Sequence, residues 1–154
     1  MRKPFIEKLI ELADQDDKIR LIIGDVGFTF IELFKDKHPD KFLNVGAAEQ
    51  KMMGMAVGMA LEGLKPYVYT MKNFILCRPY EFLRNDICAS NMNVKLFGVA
   101  GSEAYRFLGM SHNLFAGEEE NLLKHLPNIT KHFPKTEDEC KQIIKDEYNR
   151  IGPS

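Results

Sequence analysis

Four residues carry side chains that could work together as a site. Glu49 can accept a hydrogen bond or hold a proton, and Asp25 offers a second carboxylate. His112 can serve as acid or base, because an unperturbed imidazole titrates at about pH 6.5. Phe74 presents a flat apolar face. Glu49 stands just after the Gly46 turn and opens a helical stretch, where the N-terminal dipole favours a carboxylate. Each has a plainer alternative: a first-turn glutamate, a turn aspartate, a surface histidine and a core phenylalanine. Cys77, Cys88 and Cys140 lack metal-ligand spacing, and their odd number argues against a complete disulfide framework. His38, His125 and His132 have no partner spacing either, so no metal site is expected in this chain.

The elements that must position these residues alternate in period. Apolar residues Phe5, Leu9, Ile10 and Leu12 share one helical face over about 3–15. Residues 20–23 read as a short buried strand ended by Gly24, and 42–45 as another. A brief helix is predicted over 30–34, and a longer one over 47–61, rich in Met, Ala and Gly. Gly54 and Gly58 would weaken that helix unless it packs closely against something. A strand at 66–69, a helix over 79–90 with Pro79 in its first turn, and a buried strand at 93–100 follow. A loop over 101–117, a short helix over 118–125, an extended stretch at 129–133 and an amphipathic helix over 136–150 complete the chain. In that last helix Ile143, Ile144 and Tyr148 are expected to face inward.

Strands alternating with helices predict an α/β fold: one domain, with a mostly parallel β-sheet covered by helices on both faces. Ligands of such sheets bind beyond the carboxyl ends of the strands. The loops there carry Asp25, Glu49, Phe74 and His112.

Composition narrows the partners. With 154 residues there is room for one domain with a real core, and 45% hydrophobic content excludes disorder. The 21 basic and 22 acidic residues leave no excess charge for a phosphate backbone, so nucleic acid is not an expected partner. No apolar run approaches the roughly 20 residues that span a bilayer, and the N-terminus lacks a signal core. A cytoplasmic protein with free thiols is expected, without membrane contact.

The stretch Phe42-Leu43-Asn44-Val45-Gly46-Ala47-Ala48-Glu49-Gln50, running into Met53-Gly54-Met55-Ala56-Val57-Gly58, resembles the pyrimidine-binding domain of the transketolase family of thiamine diphosphate enzymes. Further motifs follow in the family's order. They are Pro66-Tyr67-Val68-Tyr69-Thr70, Arg78-Pro79-Tyr80-Glu81, Arg84-Asn85-Asp86-Ile87, Asn93-Val94-Lys95-Leu96, Gly109-Met110-Ser111-His112 and Leu126-Pro127-Asn128-Ile129-Thr130. The resemblance covers about residues 5–131.

This resemblance implies the thiamine diphosphate-binding fold and a role for each candidate. Glu49 would hydrogen-bond N1′ of the cofactor's aminopyrimidine and promote the tautomer whose 4′ nitrogen deprotonates the thiazolium. The protein's part is placement and proton management. Phe74 matches the aromatic that stacks on the aminopyrimidine. Met71 stands where the family has another aromatic, and its flexible thioether can still fill an apolar ring pocket. His112 would face the thiazolium and contact substrate oxygens, while Asp25 matches a segment near the cofactor at the subunit interface. Asn113 replaces a family His or Gln, and Leu108 stands where many sugar-phosphate transketolases have an aspartate. Gly24-Asp25 with Asn44 only superficially resembles the superfamily's magnesium motif, because Val26 interrupts it.

The same resemblance implies that residues 1–154 are a pyrimidine-binding domain, with the diphosphate-binding and C-terminal domains of many relatives absent. A separate polypeptide would then hold magnesium and the diphosphate, in an α2β2 assembly. The 47–61 helix is a candidate contact element. The expected activity is transfer of a two-carbon ketol unit between sugars, phosphorylated or nucleotide-linked. Gly-x-Ser-His with Leu108 favours that branch. The alternatives are 2-oxo acid decarboxylation with carboligation, as in deoxyxylulose phosphate synthase or the β subunits of 2-oxo acid dehydrogenases, and a non-enzymatic binding or regulatory module.

Overall fold

A computed structural model of the chain describes residues 1–99 and 103–154. Four short strands form one sheet: β1 (Ile19–Ile23), β2 (Phe42–Asn44), β3 (Lys65–Met71) and β4 (Lys95–Val99). Their order is β2-β1-β3-β4, and every neighbouring pair is parallel. Leu21 lies opposite both Phe42 and Tyr67, and Tyr67 lies opposite Lys95. The strands are apolar because parallel sheets are covered on both faces.

Successive side chains of a strand point to opposite faces, which divides the core in two. Leu21, Ile23, Tyr67 and Tyr69 pack with Phe5, Ile6 and Leu9 of α1 (Arg2–Ala13), Ile31 and Phe34 of α2 (Ile31–Lys37), and Cys140 and Ile144 of α7 (Glu137–Asn149). Ile22 and Val68 pack on the other face with Met52, Met53 and Ala56 of α3 (Glu49–Leu61). Ile75 and Leu76 of α4 (Lys72–Leu76) join them there. So do Leu83 and Ile87 of a helix that begins at Tyr80–Phe82 (α5) and continues as π-helical turns over Leu83–Ala89. Leu122 and Leu123 of α6 (Glu118–Lys124) cover this side.

The α/β architecture, its parallel sheet and both covered faces match expectation. Two local readings change. The 101–117 stretch is more than loop: its described part winds as 3-10 turns over Glu103–Ser111, broken at Gly109 with φ 56° and ψ −143°. The chain enters α4 straight from β3, a helix not foreseen. Residues 129–133 run without helix or strand, and the Thr130 N–H donates to the Pro153 carbonyl. Of the α7 residues expected to face inward, Ile144 is buried in the core beside Cys140, Tyr148 is half-buried and packs against it, and Ile143 is half-buried. Ala100 and Gly101, where the last strand was expected to meet its loop, lie outside the described residues.

At the free edge of β4 the Leu96 N–H donates to the Ser154 carbonyl at 2.6 Å, and the Ser154 N–H donates to Val94. Lys95 fixes the approach of this tail by donating to the carbonyls of Gly152 (2.7 Å) and Arg150 (3.0 Å). Burial, with Arg150 close by, pushes the Lys95 ammonium down to about 8. A cavity of about 460 Å³ runs along this edge, lined among others by Arg2, Phe5, Phe97, His132 and Glu147.

Candidate active site

Asp25, Glu49, Met71 and Phe74 stand at or just beyond the carboxyl ends of β1, β2 and β3, and His112 directly follows the Glu103–Ser111 turns. Gly46, at φ 74°, turns the chain from β2 toward α3, and Ala48 caps that helix without a side-chain hydrogen bond. Glu49 is therefore the first helical residue, with its carboxylate at the positive end of the dipole. It is only 4% exposed. The Arg78 Nη1 donates to Glu49 Oε1 at 2.6 Å. The same guanidinium lies over Phe74, its Cζ 3.8 Å from the ring centroid.

Phe74 is buried in α4, and its ring meets His112 edge-on with centroids 5.1 Å apart. Tyr105 stacks on His112 from elsewhere, at 6.4 Å and 12° between planes. Asn73, beside Phe74, donates from Nδ2 to the Ser111 carbonyl at 2.8 Å, which ties the histidine's segment to α4. The Asn73 Oδ1 is buried without a partner among the described residues.

The tautomer of His112 follows from its neighbour. Ser111 Oγ lies 2.7 Å from the Leu108 carbonyl and 2.8 Å from His112 Nδ1. A hydroxyl has one proton, and the carbonyl can only accept it. The imidazole must then donate from Nδ1, which assigns the neutral ring a lone pair on Nε2.

Asp25 stands apart from this group. It has φ 55°, its N–H donates to Asn44 Oδ1 at 3.1 Å, and Asn44 Nδ2 donates back to Asp25 Oδ1 at 3.2 Å. Asn44 Oδ1 also accepts from the Gly46 N–H at 3.0 Å, so the Asp25–Asn44 pair braces the turn that delivers Glu49. Met71 is buried at the β3–α4 junction. Among the described residues no group of His, Cys, Asp and Glu could hold a metal ion.

Three contributors were not singled out from sequence: Arg78, Asn73 and Tyr105. Arg78 had one available signal. It follows Phe74 by four residues, the spacing that brings side chains together on a helical surface.

A flat ring with a polar edge fits what is present. The planar Arg78 guanidinium touches both Glu49 and Phe74, so the acceptor and the stacking face are already matched to a planar nitrogen donor. The residues present thus suit the aminopyrimidine of thiamine diphosphate.

Comparison with known proteins points the same way. Residues 1–154 match the family described as Transketolase, pyrimidine binding domain. The chain is 31% identical over 137 residues to a subunit of the apulose-4-phosphate transketolase of Actinobacillus succinogenes, covering 89% of this chain and 43% of that protein. It is 35% identical over 154 residues to 1-deoxy-D-xylulose-5-phosphate synthase of Clostridium perfringens, covering 97% of this chain and 24% of the other. It therefore spans less than half the length of these curated relatives. Among solved structures it superposes on a split gene transketolase described as an inactive beta4 tetramer, with TM-score 0.85 and 30% identity, over 99% of this chain and 48% of that one. A transketolase from Pichia stipitis shares the fold, with TM-score 0.79 at 18% identity, over 99% of this chain and 24% of that one. The chain belongs to the transketolase family, as its pyrimidine-binding domain.

Proposed function

We propose that this chain is the pyrimidine-binding subunit of a split transketolase-like enzyme, moving a two-carbon ketol unit between sugars or sugar phosphates in the cytoplasm. The observation that carries the reading is the convergence of Glu49, Phe74 and His112 at one end of the sheet. Thiamine diphosphate, when bound, supplies the nucleophilic carbon that ketol transfer needs. Phe74 would stack on its aminopyrimidine, and Met71 would fill the apolar wall. Glu49 would face the ring nitrogen from a position nearly closed to water. His112 offers Nε2 to substrate oxygens, fixed in that tautomer by Ser111. Asp25 acts at one remove, through Asn44 and the Gly46 turn.

The diphosphate and its magnesium belong on a separate polypeptide in an α2β2 assembly. Support comes from the relatives, one named as a transketolase subunit and one as a split gene product. The surface supports it too. Phe28 and Phe115 in loops, and Phe107 and Met110 in the Glu103–Ser111 turns, lie at the site's end of the sheet and are more than half exposed. Large exposed apolar residues mark surfaces that partners cover. Gly54 and Gly58 face outward from α3, and a Cβ at either would meet nothing within 4 Å. This open face of α3 suits close contact with another subunit.

A second chemistry, decarboxylation of a 2-oxo acid followed by carboligation, is favoured by the 35% identity to the deoxyxylulose phosphate synthase. Titration of thiamine diphosphate and magnesium into the chain, alone and with candidate diphosphate-binding partners, tests the architecture. Binding is expected to be weak alone and tight in the complex. Product analysis with ketose or pyruvate donors then separates the two chemistries. In the active complex Glu49→Gln is expected to abolish turnover and leave assembly intact. Near-normal activity would remove Glu49 from its role, and failure to bind cofactor in any combination would favour a non-enzymatic module.

A further inference from the structure

The group that makes the site recognisable is the chain's own. Arg78 lays its guanidinium over Phe74 at 3.8 Å and donates to Glu49 at 2.6 Å. A guanidinium is planar, with its N–H donors in the plane. An aminopyrimidine that stacks on Phe74 while its edge meets Glu49 needs that same volume, and the two cannot share it. We propose that Arg78 is an internal plug of the aminopyrimidine site, which the incoming ring displaces.

The plug rests on the reading of Glu49 and Phe74 as the ring-binding pair, and the local structure gives it a reason and a route. Glu49 is nearly sealed from water, and a buried carboxylate without a partner is costly. Arg78 supplies the partner while no ring is bound. It sits between α4, which ends at Leu76, and α5, which begins at Tyr80, so no helix holds it. Its side chain is 46% exposed, which leaves solvent for it to swing into. A site open only part of the time binds with an affinity reduced by that fraction. A partly exposed ion pair and a cation–π contact each shift an equilibrium a few-fold, together about five- to thirtyfold.

Thiamine carries the ring without the diphosphate and probes this half of the site on the full chain. Its dissociation constant is measured by calorimetry for the wild type, Arg78→Ala and Arg78→Gln, with Glu49→Gln and Phe74→Ala alongside. In parallel, NMR follows the Arg78 guanidinium resonance, displaced by the Phe74 ring current in the free protein. Both Arg78 variants are expected to bind thiamine about five- to thirtyfold more tightly. In the wild type the ring-current displacement is expected to vanish at saturation. Binding that Glu49→Gln and Phe74→Ala weaken, but that neither Arg78 variant tightens, overturns the plug alone. So does a guanidinium signal that stays displaced in the bound state. Binding indifferent to Glu49 and Phe74, or no binding in any variant, overturns the plug together with the site beneath it.

Discussion

Glu49, Phe74 and His112 are each ordinary residues whose chemistry comes from one neighbour apiece. Arg78 neutralises the first and covers the second, and Ser111 sets the tautomer of the third. Cys77 stands close in sequence to this group and differs from it in kind. Partial desolvation, and then the Glu118 carboxylate, push its thiol above the ordinary range. The thiolate is the reactive form, so iodoacetamide at pH 7.5 is expected to modify Cys77 severalfold more slowly than free cysteine. The rate should keep climbing with pH above the ordinary thiol range, and peptide mass spectrometry reads it directly. Modification faster than free cysteine would mark an activated nucleophile instead. The type and order of the candidates were legible in the sequence, because Asn44 to Gln50 and Gly109 to His112 are contiguous motifs. The Arg78 contacts were not. The four-residue spacing from Phe74 hints at one of them, but the bond to Glu49 depends on where a linker between two helices leaves the Arg78 side chain.

At the scale of elements, the β1–α2 loop shows how tightly the site's scaffold is built. Gly27 has φ 93°, and a Cβ there would meet Ile31 Cγ1 and Tyr69 Cε1, both at 2.6 Å. Gly27→Ala is expected to cost about 1–3 kcal/mol, from a left-handed backbone combined with overpacking. Urea unfolding checks this, and an unchanged midpoint would mean that the loop relaxes freely. The main elements were readable from the sequence: α1 and α7 have sustained periods, α3 is built of good helix formers, and β1 and β4 are apolar runs. The β3–α4 junction was not, since Met71 passes to Lys72 with no Gly or Pro to punctuate it.

At the scale of the molecule, Asp16 joins the beginnings of two strands to the last helix. It accepts from the Lys18 N–H at 2.8 Å, from Lys65 at 2.9 Å and from the Tyr148 hydroxyl at 3.0 Å. Burial alone would raise its carboxyl, but these bonds, Lys65 foremost, hold it down at about 2. A carboxyl depressed in the folded state stabilises the protein above its unfolded value of about 3.8, and that contribution is lost as pH falls toward 2. Asp16→Asn is expected to lose about 1–2 kcal/mol at neutral pH, after allowance for solvent screening, and to converge with the wild type near pH 2. Urea titrations at a series of pH values test this, and a constant gap between the two proteins would contradict it.

The strand order carries a consequence for how the chain reaches this state. Every ladder joins distant positions: Leu21 with Phe42, Ile19 with Lys65, Tyr67 with Lys95. No hairpin can nucleate the sheet, and each pairing must wait for a helical crossover to close a long loop. Folding is accordingly slower than for a helical bundle of this length. Until β3 arrives, the run Ile19–Ile23 waits with an open edge, and a nascent chain is most exposed to aggregation in that interval.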